Sequence, residues 1–125
     1  PIFQRARSKS EPYPWQDALG FYNDIKEQIV HIHIKDCRYP AVGDAEPDYT
    51  MPGDGDCHLR HIVRDLKARH YEGGFAIEPH VATVFHVEDG EEPDWEQCYK
   101  SYVEYGNRFD DIMDDIGWEP KPYEG

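Results

Sequence analysis

The sequence predicts an α/β chain of parallel strands linked by helices. Three observations predict it. Helical stripes of period 3.6 alternate with short segments of period 2, the order that gives parallel pairing through right-handed crossovers. One period-2 segment, VHIHIKD, puts Val30, Ile32 and Ile34 on one face and His31, His33 and Lys35 on the other. The composition, 38% hydrophobic and 14% aromatic over 125 residues, suits one modest domain with a real core.

Taken in order, residues 1–13 are polar and contain prolines, and read as a loop. Pro14 suits a first helical turn, and Trp15, Ala18, Leu19, Tyr22 and Ile25 give an amphipathic helix to about Gln28. The first strand is expected over Ile29–Asp36. Residues 37–55, rich in Pro, Gly and acids, read as a long connection, a feature often tied to function. Asp56 is the expected N-cap of a second helix, with the stripe Leu59, Ile62, Val63 and Leu66 and an end near His70. After the turn YEGG, the segment GFAIEPH is a second strand, with Phe75 and Ile77 on one face and Ala76, Glu78 and His80 on the other. Another loop runs through FHVEDGEEP. A long helix then opens near Asp94, carries the stripe Trp95, Cys98, Tyr99, Tyr102, Phe109, Ile112, Met113 and Ile116, and ends at Gly117. Residues 119–125 read as an irregular tail. About two parallel strands and three helices are therefore expected. Two strands leave open edges and little buried area, so more must come from elsewhere, and the opening PIFQRARSKSEPYP reads as the middle of a longer protein.

Bulk charge narrows the partners. A formal charge of −13 repels phosphate backbones, so nucleic acid is not expected, and no apolar run reaches membrane-spanning length. Cys37, Cys57 and Cys98 are widely spaced and form no Cys-x-x-Cys, which reads as reduced thiols in a cytoplasmic protein. Small neutral or cationic ligands fit such a surface. Self-association into a homo-oligomer is left open.

The polar strand face has a natural place in a (β/α)8 barrel. There one face of each strand packs under helices, the other lines the interior, and function sits at the C-terminal strand ends. Val30, Ile32 and Ile34 would then pack outward. His33 and Lys35 would lie near the catalytic mouth, with His31 deeper as a satisfied core histidine. Glu78 would sit at the end of the second strand with His80 just beyond. An imidazole and a carboxylate on neighbouring strand ends are half of a divalent-metal site. Asp36 reads as structural.

HIHIKD, then MPGDGD, then GGFAIEPH resembles the C-terminal third of the sugar phosphate isomerase/epimerase family, the xylose-isomerase-like TIM barrels. The resemblance covers nearly the whole chain, with 1–125 as the C-terminal portion of such a barrel. It implies a metal held by Glu, Asp, His and Glu, of which His33 matches the His and Glu78 the last Glu; the other two would lie upstream of Pro1. It implies a substrate-binding Arg shortly after the metal His, near Arg38 although one position early. Pro52, Gly53 and Gly55 match its Gly-rich turn. The implied cofactor is Mn²⁺, Mg²⁺ or Co²⁺, and the implied substrate is a small sugar or sugar phosphate. The implied chemistry is isomerisation or epimerisation through an enediolate, with Glu78 as a catalytic acid/base and Lys35, Arg38 and His80 near the substrate. As a fragment, the chain would be inactive.

Plainer readings stand beside these. His33 could be a hydrogen-bonded interior histidine, and Glu78 could be an ion-pair partner of Lys35 or Arg38. The chain could be a non-catalytic barrel remnant serving as a binding or assembly module. A cupin-type metal enzyme is a minor alternative, because HIH and PGDGDCH echo its motifs, yet Asp54 stands where that pattern needs Gly. The endonuclease IV branch of the barrel superfamily is disfavoured by the acidic charge.

Overall fold

The computed structural model describes residues 17–39, 47–81 and 94–119. The expected N-terminal loop, the loop through FHVEDGEEP and all but the first residue of the tail lie outside them. The described chain is mixed α/β.

The first helix, α1 (Ala18–Ile25), starts at Asp17, whose carboxylate accepts from the Leu19 and Gly20 N–H groups and caps the first turn. It ends before the expected Gln28. Tyr22, buried on its inner face, donates its hydroxyl hydrogen to Asp65 at 2.6 Å.

β1 (His31–Ile34) follows, shorter than the expected Ile29–Asp36. Its pairing register opens at His31, which is why Val30, expected to pack under a helix, lies ahead of the ladder and is 81% exposed. Next comes a feature absent from the sequence reading. The stretch read as a connection contains β2 (Asp36–Arg38) and β3 (Asp48–Thr50), paired antiparallel with Cys37 opposite Tyr49. Strands of three residues carry no readable period, and Asp is a poor strand former.

α2 (Leu59–Ala68) buries Leu59, Val63 and Leu66. Its N-cap is His58 in a left-handed conformation with no side-chain cap, not Asp56. Asp56 instead accepts from the Tyr39 N–H at 2.8 Å, tying the end of β2 to this loop. β4 (Gly74–Ile77) pairs parallel with β1, from His31 opposite Gly74 to Ile34 opposite Ile77, as the crossover pattern predicts.

α3 (Trp95–Ile116) is capped by Asp94 and ends at left-handed Gly117, both as expected. Its packed stripe is Cys98, Ser101, Tyr105, Phe109 and Ile112. Trp95, Tyr99 and Tyr102, expected on that stripe, are exposed at 65%, 71% and 38%, because they flank the packed line. The core joins Ile34, Leu59, Val63, Tyr105, Phe109 and Ile112, with Ile32, Phe75 and Ile77 packed against it. Ile112→Ala is expected to cost about 2–5 kcal/mol by chemical denaturation. A loss under about 1 kcal/mol would remove Ile112 from the core. No described helix is long and apolar enough to cross a membrane.

Candidate functional site

The parallel pair brings the ends of β1 and β4 together. The Glu78 N–H donates to the Ile34 carbonyl at 3.0 Å, so the ladder carries one step past β4 and sets Glu78 beside Lys35. Lys35 Nζ donates to Glu78 Oε1 at 2.7 Å, and His80 Nε2 lies 3.1 Å from the same oxygen. The other oxygen, Oε2, lies 3.2 Å from His33 Nδ1. Three predicted site residues, Lys35, His80 and His33, therefore converge on the carboxylate of a fourth, Glu78, whose two oxygens have separate partners. Lys35 is buried, while the side chains of Glu78 and His33 are 41% and 61% exposed.

The Lys35 hydrogen bond, followed by those of His80 and His33, outweighs partial burial and holds the Glu78 carboxyl down to about 2 from the ordinary 4.5. With the folded value below the unfolded one, this pairing stabilises the fold above about pH 4.5 and is lost as pH falls toward 2. Solvent screens so exposed a group, so the gain is modest. Lys35→Met is expected to move the Glu78 titration back toward 4.5, read by ¹³C NMR of the side-chain carboxyl. An unchanged titration would refute Lys35 as the main cause.

Arg38 stays apart from this cluster. Its Nε donates to the Asp54 carbonyl at 3.1 Å, and its Nη1 lies 3.9 Å from Asp48. His31, read as a core histidine, is exposed, because no described element covers this side of β1; its ring meets His33 edge-on at 5.4 Å. Lys35 is the partner that the plainer reading of Glu78 named.

Two further residues shape the site. Asp36, 1% exposed, accepts four backbone N–H groups: Cys37 and Cys57 on Oδ1 at 2.9 and 3.3 Å, Gly53 and Gly55 on Oδ2 at 2.8 and 3.2 Å. The PGDGD loop is thus wrapped around one buried carboxylate. Gly55 is required there, since a Cβ would sit 2.2 Å from Asp36 Oδ1 and 2.6 Å from the Cys37 carbonyl oxygen. The second residue, Tyr49 on β3, stacks on His80 with ring centroids 4.9 Å apart. Its place in a stretch without periodicity left no sequence signal. Cys57 is unsuited to nucleophilic work, because a hydrogen bond with Cys37 and then burial push its thiol up.

His33 and Glu78 supply an imidazole nitrogen and a carboxylate oxygen that fit two positions around a hard divalent cation. Among the described residues no group of three or more His, Cys, Asp or Glu side chains is arranged to hold a metal ion. Two donors alone hold such an ion weakly.

Over 78 residues the chain is 30% identical to inosose dehydratase of Clostridium perfringens, an alignment that takes in 53% of this chain and 26% of that protein. It is 27% identical over 89 residues to inosose dehydratase of Clostridium beijerinckii, covering 58% of this chain and 30% of that protein. The chain thus matches less than a third of the length of either relative. Both relatives are named as dehydratases, where the sequence led to an expectation of isomerases or epimerases. No family model matches the chain, and no solved structure matches it.

Proposed function

We propose that this chain is part of a (β/α)8 barrel enzyme that removes the proton next to a carbonyl in a polyhydroxylated ketone or sugar. The observation that carries this reading is the Glu78 carboxylate at the C-terminal ends of two parallel strands, with Oε2 directed at His33 and Oε1 tied to Lys35 and His80. The similarity to dehydratases that act on inosose, a cyclic polyhydroxy ketone, supports the substrate class.

In this reading His33 and Glu78 are two ligands of a Mn²⁺, Mg²⁺ or Co²⁺ ion, and carboxylates from other strands complete its shell. When bound, the ion polarises the substrate carbonyl and acidifies the neighbouring C–H. Glu78 is ionised at neutral pH, the state that both a ligand and a base require. Its depressed pKa makes it a weak base, so it works on a C–H already acidified. Lys35 keeps Oε1 occupied and offers its ammonium to a developing enediolate oxygen. His80, beside Oε1, lies within reach of a substrate hydroxyl. From the enediolate, a proton returned to the other face or to the neighbouring carbon gives epimerisation or isomerisation. Loss of the β-hydroxyl as water gives dehydration. The relatives favour dehydration.

The alternative is a barrel remnant acting as a binding module. It is favoured by the Lys35–Glu78 pair, which satisfies the carboxylate without a metal. The two separate on the full-length protein with Mn²⁺ in D₂O. Exchange of the α-proton of inosose or of a ketose panel, followed by ¹H NMR, is the expected result. No exchange, together with no Mn²⁺ binding by calorimetry, would establish the remnant reading.

A further inference from the structure

The Glu78 carboxylate plane turns about a soft terminal torsion, so an oxygen stays directed at His33 only while contacts on the other oxygen hold that plane. Lys35 reaches Oε1 with a side chain only 6% exposed, so packing already restrains its stem. His80 follows Pro79 just beyond the end of β4. What the two share is Tyr49. Its ring stacks on His80 at 4.9 Å with a 31° tilt, and the Lys35 ammonium lies 6.0 Å from its centroid, at the outer reach of a cation–π contact.

Tyr49 in turn is held from behind. It pairs with Cys37 in the β2–β3 hairpin, and β2 begins at Asp36, the carboxylate that four backbone N–H groups enclose. The hairpin therefore converts a rigid anchor into a fixed aromatic wall beside the strand ends.

We infer that Tyr49 is a positioning residue whose ring holds His80 and Lys35 against Oε1 of Glu78 and so leaves Oε2 turned toward His33. This rests on the reading of Glu78 as ligand and base. The contacts with His80 and Lys35 are made by the ring, which phenylalanine keeps and leucine lacks.

The test uses the full-length protein. In the unaltered protein, nuclear Overhauser contacts between the Tyr49 ring and the His80 ring are expected. Tyr49→Leu is expected to shift the His80 imidazole resonances and to lower kcat about 10- to 100-fold with little change in KM. Tyr49→Phe is expected to restore both. A missing Tyr49–His80 contact, or wild-type kcat and His80 resonances in Tyr49→Leu, would overturn the inference. If Tyr49→Leu does not fold, the contact in the unaltered protein and the Tyr49→Phe values decide. If the unaltered protein processes no polyhydroxy ketone, the functional reading fails, and the NMR contacts alone still decide whether Tyr49 positions His80.

Discussion

Glu78→Gln in the full-length protein is expected to lower turnover at least about a thousandfold, because the amide can neither accept the substrate proton nor give a cation its charge. The substitution keeps size and hydrogen-bonding reach. Lys35 can still donate to the amide oxygen, so the fold should survive. Loss of the charge should also weaken Mn²⁺ binding, measured by calorimetry on the same preparation. The effect should fall mainly on kcat, because proton transfer belongs to the transition state and not to substrate capture. Wild-type kcat would end the acid/base assignment. Wild-type Mn²⁺ affinity would end the ligand assignment. The two roles are thus judged separately.

Asp36→Ala is expected to destabilise the fold by about 3 kcal/mol or more, because four backbone N–H groups lose their shared acceptor in a closed loop. For a domain of this size that is a fall in Tm of about 10 °C or more. Asp36→Asn should fall between, since its amide oxygen serves one pair of donors while its NH₂ faces the other pair. The same change should loosen β2 and β3 and release Tyr49, so activity should drop even where the protein remains folded. Scanning calorimetry of the three proteins checks the order. A loss below about 0.5 kcal/mol for the alanine variant would show that water replaces the carboxylate freely.

Much of the architecture was legible in the residues. Asp94 and Gly117 mark the ends of α3 because a side-chain acceptor and a residue free to take φ 67° are local needs that local sequence states. Leu59, Val63 and Leu66 gave the buried line of α2 for the same reason. Where a boundary depended on something distant, the reading failed. Asp56 has the chemistry of an N-cap, but the chain folds it onto the Tyr39 N–H. Trp95, Tyr99 and Tyr102 share helical spacing with the core, yet which part of a broad apolar face is covered depends on the elements beside it.

The candidate site divides along the same line. By itself the sequence determined that His33 and Lys35 share a strand face and that Glu78 ends the second strand, since alternation is a property of each strand alone. Only the tertiary structure decided that these side chains meet. Parallel pairing of Ile34 with Ile77 sets the register that brings Lys35 within 2.7 Å of Glu78 across 43 residues of chain. Only the tertiary structure sent Arg38 toward Asp48 and Asp54 and brought Tyr49 onto His80. A hydrogen bond, an ion pair and a ring contact mark those placements, and the partner in each lies beyond the reach of any local pattern.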